Sequence, residues 1–181
     1  YPDIEVTLVT TDEELDVSMR EADCAIRLTP PTQGDLIQRR LTRVHTHVFA
    51  SPAYLKNKGM PDKVRDLAHH NIIAYDEDRA MAAPNLNWLL AAVRDATNEE
   101  PHKVLTLNNL YGIFRAVEAG VGMAGLPDFL AREAQNLVRV LPELEGPGND
   151  AFFVYPEELR NSQRIGVFRD FLLRKVAETR F

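Results

Sequence analysis

Several polar side chains in this sequence follow apolar segments, where they could hold a small anion. Arg27 lies within the apolar segment 24–28, and its guanidinium could bind a carboxylate through two parallel hydrogen bonds. Open α/β sheets bind their ligands at the carboxyl ends of strands, which is where Arg27 is expected. Thr29 and Pro30 follow at the same place and offer a hydroxyl and backbone groups. The competing interpretation pairs Arg27 with a neighbouring Asp or Glu, and the sequence leaves both open.

Two predicted helix starts carry further polar side chains. Ser51 precedes Pro52, and Gly59 follows the last turn, which is the pattern of a short helix with a serine N-cap. Asn108 and Asn109 precede a second helix. The free N–H groups at a helix start attract anions, so these side chains are candidate ligand contacts. Each of them could instead do no more than cap its helix.

The histidines and the cysteine do not form a recognisable metal site. His45 and His47 are two residues apart and therefore lie on one face of a predicted strand, but no third ligand is spaced near them. We interpret them as surface residues or as packing at a crossing strand, and we expect no metal at His69 and His70. Cys24 is the sole cysteine, which excludes an internal disulfide, and its apolar segment indicates an unreactive buried thiol. The sequence predicts neither a metal nor a cofactor.

Enzymatic signatures are weak. No Gly-x-Ser-x-Gly motif occurs, and the segment Gly120-Val121-Gly122 follows a helix and opens a strand, the reverse of the dinucleotide-binding order. We therefore expect a protein that does no chemistry on its ligand.

The overall composition is that of a folded acidic protein. The 181 residues include 21 Lys and Arg against 27 Asp and Glu, and the net charge of −6 disfavours nucleic-acid binding by this chain. No apolar run approaches the roughly 18 residues that cross a membrane, and the start at Tyr1 resembles no signal peptide. Use of a single cysteine indicates a reducing compartment, so we expect a cytoplasmic location. Because the chain does not begin with Met, we expect further sequence before Tyr1.

Hydrophobic periodicity alternates between strands and helices along the chain. This alternation predicts an α/β protein with two lobes, an interlobe cleft and two crossover strands. The terminal lobe would contain residues 1–44 and 151–181, and the middle lobe residues 45–150. The expected strands are residues 4–9, 24–28, 36–41, 44–50, 72–75, 88–93, 104–107, 121–126, 137–141 and 151–155; the expected helices are residues 12–20, 51–59, 110–120, one from Pro127 and one from Ser162.

An ordered set of segments resembles one family over nearly the whole chain. The set includes residues 22–28, Phe49-Ala50-Ser51-Pro52 with Gly59, residues 119–124 followed by Leu126-Pro127, and residues 137–141. It resembles the effector-binding domain of LysR-type transcriptional regulators, which has the type II periplasmic-binding-protein fold. Thr29 departs from the family, which usually has glycine there, and would narrow or functionalise the cleft.

The resemblance implies a function beyond what the residue patterns show. It implies an effector-sensing domain that binds a small anionic metabolite in the cleft and acts as a homodimer or tetramer. DNA would be bound only by a winged helix-turn-helix domain preceding this chain, and no membrane partner is expected. The domain's own first strand and helix would also precede Tyr1. A transport solute-binding protein with the same fold is the alternative. The expected effector contacts are Arg27, Thr29 and Pro30 in the terminal lobe, Ser51, Asn108, Asn109, Gly125 and Leu126 in the middle lobe, and Tyr155 at the second crossing.

Overall fold

The chain folds as two units, each built on its own β-sheet. A computed structural model describes residues 1–2, 4–11, 17, 21–30, 34–76, 85–134 and 136–178. Unit 1 contains the described residues of Tyr1–Arg43 and Asn149–Phe181, and unit 2 those of Val44–Arg79 and Asn85–Gly148. The chain therefore passes from unit 1 to unit 2 after Arg43 and returns after Gly148.

Strands and helices alternate along the described chain. In order they are β1 (Ala25–Arg27), β2 (Leu36–Val44), β3 (Thr46–Ala50), α1 (Pro52–Lys58), a 3-10 turn (Val64–His69), β4 (Ile72–Tyr75), α2 (Trp88–Thr97), β5 (Lys103–Leu107), α3 (Leu110–Glu118), β6 (Met123–Pro127), α4 (Asp128–Glu133), β7 (Val138–Glu145), β8 (Asn149–Pro156), a second 3-10 turn (Glu157–Leu159) and α5 (Gln163–Glu178). Within the described residues, no helix combines the length and the hydrophobicity that crossing a lipid bilayer requires.

Unit 1 has a three-stranded sheet in the order β1-β8-β2. β1 runs antiparallel to β8, with Ile26 opposite Phe153. Phe153, Tyr155 and Ile165 form the buried core, and Phe168 and Leu172 of α5 pack against it. The apolar face of α5 therefore holds this helix against the sheet, as its sequence periodicity predicts.

Unit 2 has a five-stranded sheet in the order β5-β4-β6-β3-β7. β4 is parallel to β5 and β6, whereas β3 is antiparallel to β6 and β7. The carboxyl ends of β4, β5 and β6 consequently lie at one edge of the sheet together with the start of β3. We name this edge, marked by Tyr75, Leu107, Pro127 and Thr46, the carboxyl edge, and the opposite edge, marked by Ala50, Ile72 and Met123, the amino edge.

The central strands of unit 2 are covered on both faces. Every residue of β3 and of β4 is buried, as expected of strands flanked by helices on either side. Leu89, Leu90 and Val93 of α2 pack on the side that Val48 and Ala50 of β3 face. This burial fixes the register of β3 and β4, so the residues at the ends of these strands have defined positions.

The segment that begins at Trp88 is a helix, so the predicted strand at residues 88–93 is wrong. Its buried positions, Leu89, Leu90 and Val93, are three and four residues apart and lie on one helical face. The helix ends at Asn98, whose φ of 57° is left-handed. A short apolar run does not distinguish a buried strand from one turn of a buried helix, which explains the error.

The alternating segment at residues 4–9 is not a strand, which corrects a second prediction. Val6, Leu8 and Val9 are 59%, 81% and 59% exposed, and none of the described residues pairs with this segment in a sheet. Alternation makes a segment suitable for a sheet, but a strand forms only where a neighbour supplies hydrogen-bonding groups. The helix expected at residues 12–20 lies outside the described residues, apart from Val17, which is buried.

A buried hydrogen-bonded group joins α1 to the loop before β4. The Tyr54 hydroxyl accepts a hydrogen bond from the Asn71 amide at 2.8 Å and lies 3.2 Å from Nδ1 of His70. Burial lowers the pKa of His70, and the charge of Lys58 lowers it further. A neutral imidazole can accept the Tyr54 proton, so the group is satisfied while His70 is uncharged.

Acidification should weaken the folded state through His70. Because folding lowers its pKa, the unfolded chain takes up a proton first, and stability is lost as pH falls below the ordinary value of about 6.5. We expect the free energy of unfolding, measured by denaturant titration, to fall less between pH 7.5 and 5.5 in His70→Asn than in the unsubstituted protein. The exposed His102 supplies the control, since His102→Gln should leave the pH dependence unchanged. Equal pH dependence in His70→Asn would contradict this role.

Candidate functional site

The chain connections of unit 2 make the carboxyl edge the candidate for a ligand site. After β4 the chain runs through α2 to β5 on one side, and after β5 it runs through α3 to β6 on the other side of β4. Open α/β sheets bind ligands where successive connections leave in opposite directions. The carboxyl ends of β4 and β6 are therefore the candidate site within unit 2.

Tyr75 fixes the backbone at this edge. Its amide donates to Oδ1 of Asn87 and its carbonyl accepts from Nδ2 of Asn87, both at 2.8 Å. Its hydroxyl donates to the carbonyl of Asn108 at 2.8 Å. Tyr75 is 3% exposed, so these bonds form largely away from water. They join the end of β4, the start of α2 and the residues before α3.

Sequence reasoning missed Tyr75 and Asn87. Asn87 lies 12 residues from Tyr75, and Asn108 lies 33 residues from it, so no local pattern links them. A tyrosine in an apolar strand is also typical of an ordinary core position, so Tyr75 gave no sign of a special role.

Asn108 and Asn109 both lie at the carboxyl edge, between the end of β5 and the start of α3, and their role as ligand contacts stays a prediction. Asn109 caps α3, because its Oδ1 accepts from the Gly112 amide at 2.9 Å. Both side chains are exposed. Asn109 therefore caps α3. Its side chain is also exposed, so the cap does not prevent contact with a ligand.

Gly125 lies under an indole ring. A Cβ on Gly125 would be 2.6 Å from Nε1 of Trp88, and one on Gly146 would be 2.3 Å from Cε2 of the same ring. We name this place, formed by Thr46, Gly125 and Gly146, the Trp88 packing site. Only glycine leaves room for the ring at the two positions. The side chain of Leu126 is fully buried, so any ligand contact by this residue would use its backbone.

The Trp88 packing site also contains a buried hydroxyl. Thr46 is 7% exposed, and among the described residues its Oγ1 has no hydrogen-bond partner. This oxygen lies 2.5 Å from the position that a Gly146 Cβ would take, close to the indole. An unpaired buried hydroxyl costs about 1–3 kcal/mol. The carboxyl edge therefore combines exposed amides with a buried hydroxyl that has no partner among the described residues.

Two histidines at this edge are paired with carboxylates. His45 Nδ1 lies 2.6 Å from Oε1 of Glu145, and His47 Nδ1 lies 2.7 Å from Oδ1 of Asp128. The hydrogen bond from His45 is the main cause that lowers the pKa of Glu145. No cluster of three or more His, Cys, Asp or Glu side chains able to bind a metal occurs in the part of the chain that the structure describes.

Ser51 lies at the amino edge, away from Asn108 and Asn109. It follows β3, which runs antiparallel to β4 and β6, so its end is opposite to theirs. The Ser51 side chain is 1% exposed and accepts from the Tyr54 amide at 3.3 Å. The structure thus supports the capping interpretation and does not bring Ser51 together with the other candidates of unit 2.

The candidates of unit 1 lie in two different places. Arg27 ends β1 opposite Phe152 and is 8% exposed, and Thr29 and Pro30 follow it with greater exposure. Tyr155 is 4% exposed and packs against Phe153 with ring centroids 5.6 Å apart. It lies near the end of β8, whereas the chain passes between the units before Asn149. Its position is therefore in the unit 1 core and not at the crossing.

Cys24 has the environment of an unreactive thiol. Burial raises its pKa, and the neighbouring charge of Asp23 raises it further, so the thiolate is disfavoured.

Comparison with known proteins agrees with this architecture. The LysR substrate binding domain profile matches residues 1–177. The chain belongs to this family. An HTH-type transcriptional regulator of Xanthomonas campestris pv. campestris is 27% identical over 179 residues, which cover 97% of this chain and 52% of the relative. An HTH-type regulator of Haemophilus influenzae is 26% identical over 159 residues, which cover 86% and 54%.

The fold prediction is confirmed by solved LysR regulatory domains. The regulatory domain of CrgA, a LysR-type transcriptional regulator from Neisseria meningitidis, superposes with a TM-score of 0.82 at 26% identity, covering 97% of this chain and 86% of that one. The chain spans about half the length of the curated relatives it matches.

Substitution at Gly125 tests the Trp88 packing site of this LysR domain. We expect Gly125→Ala to lower the free energy of unfolding by about 1–3 kcal/mol, because the new methyl group must displace the indole. Gly166→Ala is the control: nothing lies within 4 Å of its Cβ, and alanine favours the helix α5. Denaturant titration followed by fluorescence of the single tryptophan measures both. A neutral Gly125→Ala would contradict the described contact.

Proposed function

We propose that this chain is the effector-sensing domain of a LysR-type transcriptional regulator. The observation that carries the proposal is the family match over residues 1–177, in a chain whose relatives are named HTH-type regulators. A helix-turn-helix reads DNA in the major groove, and the matched half is the other part of such a protein. The net charge of this chain is −6, which supports DNA binding by another part of the polypeptide.

The effector is a small anionic metabolite, and the domain does no chemistry on it. Arg27 supplies the guanidinium for a carboxylate, with Thr29 and Pro30 beside it in unit 1. In unit 2, Asn108 and Asn109 supply amides, on a backbone that Tyr75 holds in place. Different affinities for two arrangements of the regulator would let the effector shift their populations.

The proposed regulator is cytoplasmic and works as a homodimer or tetramer. These two properties come from the sequence composition and the family resemblance. The alternative, a transport solute-binding protein, has no support among the relatives' names, which describe transcriptional regulators.

The proposed function predicts that DNA is bound by residues before Tyr1 and not by this chain. We expect the native reading frame to encode a winged helix-turn-helix within about one typical domain length upstream. The full-length product should bind double-stranded DNA at low salt, and residues 1–181 alone should not, as measured by fluorescence anisotropy. A signal peptide upstream, or a full-length product without DNA binding, would refute the regulator function.

The contact role of Asn109 can be separated from its capping role. Ser51 and Asn109 each cap a helix, so Ser51→Ala and Asn109→Ala should cost similar stability, about 1 kcal/mol. Only Asn109 lies at the carboxyl edge. For an effector identified by thermal-shift screening, we expect Asn109→Ala to weaken binding about tenfold, or about 1.4 kcal/mol, in calorimetry. Ser51→Ala should leave the affinity unchanged. Equal effects of the two variants would rule out the carboxyl edge as the unit 2 contact.

A further inference from the structure

The buried hydroxyl of the Trp88 packing site lies directly beside the indole. Among the described residues no group pairs with Oγ1 of Thr46. This oxygen and the ring atoms Nε1 and Cε2 of Trp88 all lie within 2.6 Å of the position that a Cβ on Gly146 would take. Buried hydroxyls in folded proteins are nearly always paired, so an unpaired one needs a physical reason. A ligand that accepts a hydrogen bond from Thr46 would supply that reason.

The indole is the group that such a ligand would replace. Its ring is partly buried and packs against the apolar cluster that includes Val48 and Leu90. Thr46 and Val48 are two residues apart on β3 and therefore share the face that α2 covers. A ligand that takes the place of the indole would meet apolar side chains and the Thr46 hydroxyl together.

Two glycines adapt this place to a flat ring. The ring of Trp88 lies so close to Gly125 and Gly146 that a Cβ on either residue would overlap it. Both residues therefore present bare backbone to the ring. Because an indole already fits, the place accepts the aromatic ring of a small ligand, whereas a puckered saturated ring is thicker.

The backbone around Trp88 can stay in place while the ring moves. Asn87 is bonded through its side chain to both backbone groups of Tyr75. The Trp88 amide donates to the carbonyl of Asn85 at 3.2 Å, and the Leu90 amide donates to the carbonyl of Asn87 at 3.0 Å. None of these bonds uses an atom of the indole. The ring can therefore leave by rotation about its side-chain bonds while α2 keeps its start.

The start of α2 favours a negative charge near this place. Asn87 precedes α2 but makes no side-chain cap, and the first turn of the helix has no acidic residue. The N–H groups at a helix start carry partial positive charge, which attracts anions. The hydroxyl of Thr46 can donate to a carboxylate. The helix start alone would not define a site, and it is the unpaired hydroxyl that locates one.

We propose that a planar aromatic carboxylate binds at the Trp88 packing site by displacing the indole, and that Thr46 donates a hydrogen bond to it. The Trp88 side chain fills the place in the free protein and leaves it when the ligand enters. This inference rests on the proposed function for an anionic effector. It adds the shape of that effector and the residues of unit 2 that receive it.

Fluorescence of the single tryptophan tests the displacement directly. Benzoate is the probe, and cyclohexanecarboxylate, which has the same charge and a puckered ring, is its control. We expect millimolar benzoate to shift the Trp88 emission to longer wavelength and to increase its quenching by acrylamide, because the indole moves into water. Cyclohexanecarboxylate should do neither. Calorimetric binding of benzoate with unchanged Trp88 emission would overturn the proposal, and so would the absence of binding.

Thr46→Val separates a ligand contact from a structural role. Valine keeps the shape of threonine and removes the unpaired hydroxyl, so we expect the midpoint of denaturant unfolding to rise. The affinity for benzoate, measured by calorimetry, should fall about tenfold. Thr106→Val, at an exposed position of β5, should change neither quantity. A lower midpoint with unchanged affinity would show that the hydroxyl serves the fold alone, and would refute its role as a ligand contact.

Trp88→Ala removes the group that competes with the ligand. We expect this variant to bind benzoate about tenfold more tightly than the unsubstituted protein does. Equal affinity would contradict the displacement. If the variant does not fold, the Trp88 emission and the Thr46→Val measurements decide. None of these measurements involves DNA, so a full-length product without DNA binding would refute the proposed function only. Unchanged Trp88 emission would refute this inference only.

Discussion

The organisation of unit 2 depends on the reversed direction of β3. β3 lies between β6 and β7 and runs antiparallel to both. Its start consequently meets the carboxyl ends of the parallel strands, and its end meets their amino ends. The same reversal brings His47 beside Asp128 and places Ser51 at the far edge from Asn109. One buried strand thus decides which polar side chains share an edge, because every residue in it is enclosed and its register cannot shift without exposing apolar groups.

Rigid backbone support distinguishes the carboxyl edge from an ordinary surface. Tyr75 bonds to Asn87 and Asn108, and the Trp88 ring occupies the space above two glycines. Hydrogen bonds of this kind are strong where water is excluded, so the exposed Asn108 and Asn109 are presented from a fixed frame. Such an edge suits a sensor, because a ligand gains affinity when the groups that it contacts are already ordered.

Histidines in unit 2 occupy two different kinds of environment. His70 is buried near Lys58 without a facing carboxylate bond, so protonation opposes the fold. His45 and His47 each hydrogen-bond to a carboxylate, that of Glu145 and that of Asp128. The difference follows from the partner that each imidazole meets, since imidazoles are chemically alike.

The sequence by itself determined the α/β class, the family and the starts of the well-capped helices. These depend on local signals: Ser51 before Pro52, Asn109 before an amphipathic run, and an ordered set of segments over nearly the whole chain. Only the tertiary structure decided that Trp88 begins a helix, that residues 4–9 pair with none of the described strands, and that Tyr155 belongs to a core. It also decided that Tyr75 and Asn87 support the candidate site. The reason is physical: strand pairing, burial and side-chain hydrogen bonds join residues far apart in sequence, and local periodicity carries no information about which partners they meet.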